Sequence, residues 1–219
     1  MRVYKLTDRN DKTQGNTQWG RGVRHVAQDQ EPRRLCTSSV IHAYRDEYLA
    51  VLMNPVHGNF ENPHCWISEG EGDPLDDGTK LGFSALTTIE RVPLPSFTTK
   101  QAIAFGIYCA LATQGSSDKC KAWAHDWLSG KDRSVKSARA AYADAVAYAD
   151  AANAAATNAA YATADVAYAT YAHATADVTF AATDADVIFA ATHADVIFAA
   201  TAHADINLSK LARQAHKFR

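Results

Sequence analysis

The C-terminal part of this sequence lacks the residues that most often turn the chain. All six prolines lie at or before Pro95, and all eleven glycines lie at or before Gly130. Because proline and glycine are the strongest markers of turns, their absence excludes a loop-rich fold for the last part of the chain. The change in composition predicts an α+β fold class with two domains. A small mixed domain covers residues 1–96, and an alanine-rich, antiparallel helical domain covers residues 97–219.

Positive charge is missing from a long stretch of the second domain. Residues 140–209 contain no lysine, arginine or glutamate, and their acids are eight aspartates. The formal net charge of the whole chain is −2, so its composition favours neither nucleic acid nor an anionic membrane as a partner. The aspartates also break the apolar runs below the roughly 18 to 20 residues that a membrane span needs. With a polar N-terminus that excludes a signal peptide, we expect a cytoplasmic protein.

Metal-binding patterns are absent as well. The four cysteines show no CxxC spacing, so we expect reduced thiols. Several metal-ligating residue types do fall early in the chain, but their spacings match no standard zinc pair. We therefore predict no metal and no other cofactor at these residues, which are His25, Cys36, His42, His57, His64 and Cys65.

The first domain contains short β-branched or aromatic runs between turn residues, which predict strands near residues 2–6, 22–27, 39–44, 64–68 and 86–94. Residues 45–54 predict a short helix with Asp46 near its start. Residues 69–80 predict a solvated acidic loop. Glu69 and Glu71 in that loop could act as paired carboxylates, but a flexible acidic loop is the interpretation that the composition favours.

Two helices are predicted at the start of the second domain. Residues 98–113 place Ile103, Ile107 and Leu111 on one face, with Thr98 or Thr99 as N-cap. Residues 116–130 place three bulky residues on one face, with Ser116 or Ser117 as N-cap, and Gly130 suits the position that follows the helix. Those three residues are Cys120, Trp123 and Trp127.

The tract from residue 134 to residue 215 predicts helix, because alanine is the best helix former and no glycine or proline interrupts it. Within it a nine-residue unit repeats, and Phe180, Phe189 and Phe198 are spaced by that period. Nine residues make about two and a half helical turns, so successive units face opposite sides and all three rings should be buried. A β-solenoid is the alternative, since Val, Ile, Phe and Thr favour strands. Nonapeptide coils turn on glycine, however, and this tract has none.

From about Lys100 onward the chain resembles the alanine-rich, all-helical proteins predicted to confer immunity beside bacterial toxins. The stretch "CKAWAHDWLSGKDRSVKSARAAYADA" carries this resemblance, together with the later "YAHAT", "ATHADV" and "ATAHAD". The first domain resembles phage and prophage proteins through "YKLTDRNDKTQGNTQWG", "LCTSSVIHAYRDEYLAVLMNPVH" and "LTTIERVPLP". Together they imply a phage- or bacterium-encoded protein that acts in a conflict between host, phage and toxin, with no active site attached.

A candidate pocket lies in the first domain, where Trp19, His42 and Tyr44 offer aromatic walls and a titratable group. The stretches around them resemble ADP-ribosyl-transfer domains, which implies nucleotide or NAD binding. No matching catalytic glutamate can be placed. Ordinary core packing of Trp19 and Tyr44 is the competing interpretation.

The repeat suggests a second kind of site. Its aspartates find no lysine or arginine within the tract, so most should face solvent, where an acidic surface suits a basic partner protein. The candidate partner-binding residues are Asp177, Asp186, Asp195 and Asp205. The leading hypothesis is a non-enzymatic protein that binds and neutralises another protein. A nucleotide-binding, ADP-ribosyl-transfer-like enzyme and a self-assembling structural subunit are the alternatives, so a homo-oligomer stays open.

Overall fold

The computed structural model of the chain describes residues 1–28, 32–112, 117–151 and 206–219. The chain divides into two compact units, here named unit 1 (Met1–Ser96) and unit 2 (Phe97–Arg219). The described residues form a mixed α and β structure with five α-helices and antiparallel sheets. None of the helices in these residues is both long enough and apolar enough to cross a membrane.

Unit 1 is built on antiparallel strands. The strands are β1 Arg2–Thr7, β2 Lys12–Thr13, β3 Thr17–Gln18, β4 Arg24–Val26, β5 Ile41–Ala43, β6 His64–Glu71, β7 Leu75–Asp76, β8 Leu81–Phe83 and β9 Ala85–Val92. A four-stranded sheet has the order β1–β6–β9–β4, a three-stranded sheet has the order β5–β8–β7, and β2 pairs with β3 in a small hairpin. The two larger sheets are linked by reciprocal backbone hydrogen bonds of 2.9 and 2.8 Å between Tyr4 and Tyr44.

The expected acidic loop over residues 69–80 is wrong in part. Strand β6 continues to Glu71, and β7, which lies inside the same stretch, pairs with β8. Glu71 accepts two hydrogen bonds of 2.8 Å from Arg24, which lies on β4 at the far edge of the same sheet. The acidic composition predicted a loop instead of this strand. Arg24, which neutralises the carboxylate of Glu71, lies 47 residues earlier in the chain, so the local sequence did not show the pairing.

Helix α1 (Glu47–His57) follows β5 and covers the core of unit 1. Its N-cap is Asp46, whose carboxylate accepts the Leu49 amide at 2.7 Å, as the early position of this acid predicted. The helix buries Leu49, Ala50, Leu52 and Met53. A further cluster of buried side chains joins the two larger sheets and comprises Val3, Trp19, Ala43, Leu81, Phe83 and Leu86.

Unit 2 begins with helix α2 (Thr99–Ala112), whose first turn is capped by Thr98 through a 3.3 Å bond from the Gln101 amide. Ile103 and Ile107 are buried, but so are residues on other sides of the helix, so α2 is enclosed rather than amphipathic. Helix α3 (Asp118–Ser129) starts at the predicted cap Ser117 and ends at Gly130, which adopts a φ of 77°. Glycine fits this left-handed position without steric cost.

Two more helices are described in unit 2, α4 (Val135–Ala151) and α5 (Leu208–His216). Helix α5 packs on α2, and the side chain of Gln101 donates to the backbone oxygen of His216. Beside it Trp127 stacks on Phe218, with ring centroids 5.6 Å apart. The prediction of helix over residues 134–215 is thus met at both ends of the tract. The remainder, with Phe180, Phe189, Phe198 and the four candidate aspartates, lies outside the described residues.

Gly70 on β6 is required by close packing, and this gives a first prediction. A Cβ at this position would lie 2.5 Å from the ring of Phe83, which is fully buried. Gly70→Ala should therefore lower the free energy of unfolding by about 1 to 3 kcal/mol, the usual cost of overpacking a core. Urea denaturation measures this value.

Gly20→Ala is the matched control, because its Cβ would meet Val23 at an ordinary 3.4 Å. We expect a change within about 0.5 kcal/mol there. Equal losses in the two variants would contradict the packing of Phe83 against β6.

Candidate functional site

Lys5 is the centre of a polar cluster in unit 1. It lies on β1 between two residues that the sequence singled out. Its ammonium group donates a 2.8 Å hydrogen bond to the backbone oxygen of His42 and lies 5.2 Å from the ring centroid of Trp19. Only 9% of Lys5 is exposed, and burial lowers its pKa to about 8. Within the described part of the chain no carboxylate forms an ion pair with it, so its charge is poorly compensated.

Trp19 forms one wall of this cluster but is also a core residue. Its indole N–H donates to the Thr13 hydroxyl at 2.9 Å, and the ring of His25 meets its face edge-on at 4.6 Å. The short β2–β3 hairpin positions Trp19, because the backbone N–H of Trp19 donates to the backbone oxygen of Asp11 at 2.8 Å. The indole polar group is therefore satisfied internally, and Trp19 offers its face rather than its N–H to Lys5.

His42 and His57 add two imidazoles to the cluster. Nε2 of His42 accepts the backbone N–H of Cys36 at 2.9 Å, so this nitrogen carries no proton. Burial, followed by the charges of Lys5 and Lys80, lowers the pKa of His42 to about 4. Burial and Lys80 likewise lower the pKa of His57 to about 4. Both rings are neutral at physiological pH, so they can exchange hydrogen bonds with a ligand but do not carry positive charge.

Tyr44 completes the set of predicted pocket residues. Its hydroxyl lies 3.3 Å from Nδ1 of His57, and the two rings stack with centroids 6.0 Å apart. Burial raises the pKa of this phenol, and the nearby Asp77 adds to the effect. Lys5 contacts both Trp19 and the backbone of His42, while Tyr44 is tied to His57 instead. The structure thus brings the three residues into one region of unit 1 without forming a single wall from them.

A lysine that the sequence did not indicate enters the cluster from the turn before β8. Lys80 is 8% exposed, and its ammonium donates to Sγ of Cys36 at 3.1 Å. Asp77 orders this turn by accepting the amides of Thr79 and Lys80, each at 2.9 Å. Burial works to raise the pKa of Asp77, but these hydrogen bonds and the charge of Lys80 outweigh it and leave the pKa below its ordinary value. The signal available in sequence was the "DDGTK" turn itself.

A second group that sequence reasoning missed centres on Asp11. One carboxylate oxygen accepts from Nδ1 of His64 at 2.9 Å and from the indole of Trp66 at 3.0 Å, and the other oxygen pairs with Arg91. Arg91 also lies 5.3 Å over the ring of Trp66. Burial works to raise the pKa of Asp11, yet the bonds from His64 and Trp66 and the charge of Arg91 hold it below its usual value. Asp11 thus fixes the β1–β2 turn onto β6 and β9.

Unit 2 contains a groove of about 250 Å³ between α3 and α4. On the α4 side Ser137, Ala140 and Ala141 share one helix face, and their small side chains leave room beside the ring of Trp123. Trp123 is 7% exposed, and among the described residues its indole N–H has no hydrogen-bond partner. A buried donor without an acceptor is costly, so an acceptor placed beside this group would stabilise the structure.

Carboxylates surround the groove. Asp144 is paired with Lys119 at 3.0 Å and accepts the Ser117 hydroxyl, which lowers its pKa. Asp126 is paired with Lys131 at 3.0 Å, and its side chain is 38% exposed. Asp132 also lines the groove. Three acids face one lining lysine, so the groove is acidic and has one aromatic wall.

The metal-ligating residue types do not converge. In residues 1–28, 32–112, 117–151 and 206–219 no three His, Cys, Asp or Glu side chains are grouped so that they could hold a metal ion. His25 contacts Trp19, His57 contacts Tyr44, and His64 contacts Asp11. Glu69 is exposed on β6, and Glu71 is paired with Arg24. The two carboxylates of the predicted acidic loop therefore do not form an acid–base pair.

Comparison of the chain with models of protein families, with curated proteins and with solved structures finds no match. The function of the protein is therefore inferred from its residues and from the geometry of the two sites.

Asp11 generates the second prediction. Asp11→Asn should lower the free energy of unfolding by about 1.5 to 3 kcal/mol, the usual worth of hydrogen bonds to a charged group. Because the pKa of Asp11 is depressed in the folded state, its contribution is present above the unfolded pKa of about 3.9 and is lost as the pH falls through the folded value. Denaturation at a series of pH values from about 6 to 2 should show a smaller acid destabilisation in the variant than in the wild type.

Asp76→Asn is the control, since Asp76 pairs with one arginine, accepts one backbone N–H from Gly78 at 2.9 Å, and has a side chain that is 35% exposed. It should lose no more than about 1 kcal/mol. If Asp11→Asn behaves like this control, Asp11 does not hold the turn onto the sheet.

Proposed function

We propose that the protein is a non-enzymatic interaction protein that binds and neutralises another protein in a toxin-immunity or defence conflict. In this proposal it is encoded by a phage or a bacterium, acts in the cytoplasm and binds through its alanine-rich, antiparallel helical domain. The observation that carries the proposal is the groove of unit 2, with its aromatic wall, three carboxylates and unpartnered indole N–H. The groove also lies within the stretch on which the resemblance to immunity proteins rests, residues 120–145.

The chemistry of the groove indicates what the partner presents. An arginine side chain can stack on the face of Trp123 and donate to the nearby carboxylates. A backbone oxygen beside that arginine can accept the indole N–H of Trp123. Such a pairing satisfies the buried indole N–H of Trp123. It also replaces Lys131 beside Asp126 and Lys119 beside Asp144, and both lysine side chains are exposed. Exposed ion pairs contribute only about 0 to 1 kcal/mol, so their exchange costs little.

The aspartates of the repeat belong to the same proposal. Asp177, Asp186, Asp195 and Asp205 add negative charge to the domain that holds the groove, and residues 140–209 offer no lysine or arginine against it. A basic partner would be steered toward such a domain at low ionic strength. We expect the replacement of all four by asparagine to slow association and to reduce its dependence on salt.

The third prediction tests this function with the products of the genes that flank the coding sequence. Each product is co-expressed with the chain, and survival and co-purification are recorded. At least one product should be toxic alone, be rescued by the chain and bind it. Asp126→Asn should weaken that binding at least about tenfold, because it removes a groove carboxylate.

Asp118→Asn is the matched control. It makes the same change of charge on the same helix, at a fully exposed side chain. If no flanking product binds the chain, the proposed function is wrong. If a product binds and the two variants behave alike, the function stands, but the groove is not the binding surface.

A second candidate function is nucleotide or NAD binding by unit 1. The specific observation in its favour is the poorly compensated charge of Lys5, together with Lys80 and two neutral imidazoles. The charge of Asp77 acts on all three of His42, His57 and Tyr44. An anion such as a phosphate group would supply the missing compensation for the two lysines.

Thermal unfolding in the presence of NAD, ADP or inorganic phosphate gives the fourth prediction. A ligand at 100 times its Kd should stabilise the fold by about 2.7 kcal/mol. Lys5→Met should remove that stabilisation while leaving the free protein as stable as before or more so, since the buried charge is costly. Lys12→Met on β2 is the control and should keep the ligand effect. An unchanged melting temperature with all three ligands excludes this candidate.

A further inference from the structure

Cys36, a residue that neither candidate function uses, lies in contact with Lys80. Nζ of Lys80 lies 3.1 Å from Sγ of Cys36, which is within bonding reach of a single bridging atom. All four cysteines are in the described residues, and Cys36 is the exposed one, whereas Cys65, Cys109 and Cys120 are at most 1% exposed. Oxidants in solution therefore reach Cys36 before the other thiols.

The backbone holds Cys36 in place. Its φ of 62° lies in the left-handed region, which is uncommon for residues other than glycine. The 2.9 Å bond from its N–H to His42 anchors this conformation to β5. The adjoining loop is closed by the Arg34 amide, which donates to the Ser39 hydroxyl at 2.9 Å, and by the Thr37 hydroxyl, which donates to the Arg34 oxygen at 2.8 Å. The thiol is thus presented at a fixed position.

Lys80 is equally constrained. The Asp77 carboxylate holds its backbone amide, and its side chain is buried up to the sulfur that it contacts. No ion pair with a carboxylate is formed by Lys80 in the part of the chain that the structure describes. A buried amine whose hydrogen-bond partner is a thiol sulfur is poised for chemistry with that sulfur rather than for structural pairing.

We propose that Cys36 and Lys80 are an oxidative modification site, at which a peroxide joins the two side chains through an S–O–N bridge. One hydrogen peroxide first oxidises the thiol to a sulfenic acid, with loss of one water. The ammonium group of Lys80 then releases one proton to solvent, and a second hydrogen peroxide oxidises the resulting amine by two electrons as the sulfenic oxygen bonds to Nζ. The peroxide O–O bond breaks, one N–H and the sulfenic O–H are lost, and two waters leave.

Every atom of this sequence is accounted for. The thiol, the amine and two peroxides give the bridge and three waters, and the four electrons come equally from sulfur and nitrogen. The bridged nitrogen is a substituted hydroxylamine and no longer an ammonium group. The modification would therefore remove one positive charge from the cluster around His42 and His57 and tie the loop of Cys36 to the turn before β8.

The fifth prediction is tested on the folded full chain with hydrogen peroxide, followed by digestion without a thiol reductant and mass spectrometry. The peptide that contains Cys36 should be joined to the peptide that contains Lys80, with a gain of about 14 Da over their summed masses. A thiol reductant should separate the two peptides. The joined peptide should be absent from Cys36→Ser and from Lys80→Gln, and present in Lys121→Gln, which changes an exposed lysine elsewhere.

Denaturing the chain before oxidation should also abolish the joined peptide, because the reaction depends on the 3.1 Å approach in the folded state. The proposal is overturned if folded protein gains oxygen on Cys36 alone, in steps of about 16 Da, and Lys80 stays unmodified. A Cys36 that forms only disulfides between chains overturns it as well.

Discussion

The buried ammonium group of Lys5 is the constraint around which unit 1 is arranged. A lysine inside a β-sheet needs an acceptor and a polarisable surface, and the backbone of β5 and the ring of Trp19 supply these. The reciprocal hydrogen bonds of Tyr4 and Tyr44 keep β5 beside β1, next to the lysine. The two neutral histidines follow from the same arrangement, because burial and neighbouring lysines both disfavour their charged forms. No carboxylate in the described residues pairs with the positive charge of Lys5, and this makes the region a candidate for anion binding.

In unit 1 the incompletely satisfied group is the charge of Lys5, whereas in unit 2 it is a buried hydrogen-bond donor, the indole N–H of Trp123. Small residues on α4 leave space beside Trp123, and its indole N–H finds no acceptor in the described residues. Carboxylates then line the space, held by exposed lysines that a partner can displace. Each unit thus combines a well-packed core with an incompletely satisfied polar group that a ligand can complete.

Local signals predicted the helices better than the strands or the sites. The start of α1 at Asp46 could be predicted because a helix cap depends on residues within one turn. The same holds for the start of α3 at Ser117 and its end at Gly130. The extension of β6 through Glu71 was missed because its stabilising partners, Arg24 and the ring of Phe83, are distant in sequence. His42 and Tyr44 were proposed as pocket residues from their residue types, whereas Lys5, Lys80 and Asp11 were not, since only burial distinguishes them from surface charges. Trp123 was predicted to share one helix face with Cys120 and Trp127, and no sequence pattern shows that its N–H lacks a partner.

We propose that the groove of unit 2 receives a cationic side chain against Trp123. The most direct test is a set of ¹H–¹⁵N spectra of the indole groups during titration with a short arginine-rich peptide. Trp19 and Trp66 serve as internal references, because their indole N–H groups already donate to Thr13 and Asp11. We expect the Trp123 indole signal to move saturably while those two stay in place. A Trp123 signal that does not move, or that moves no more than the references, would contradict it.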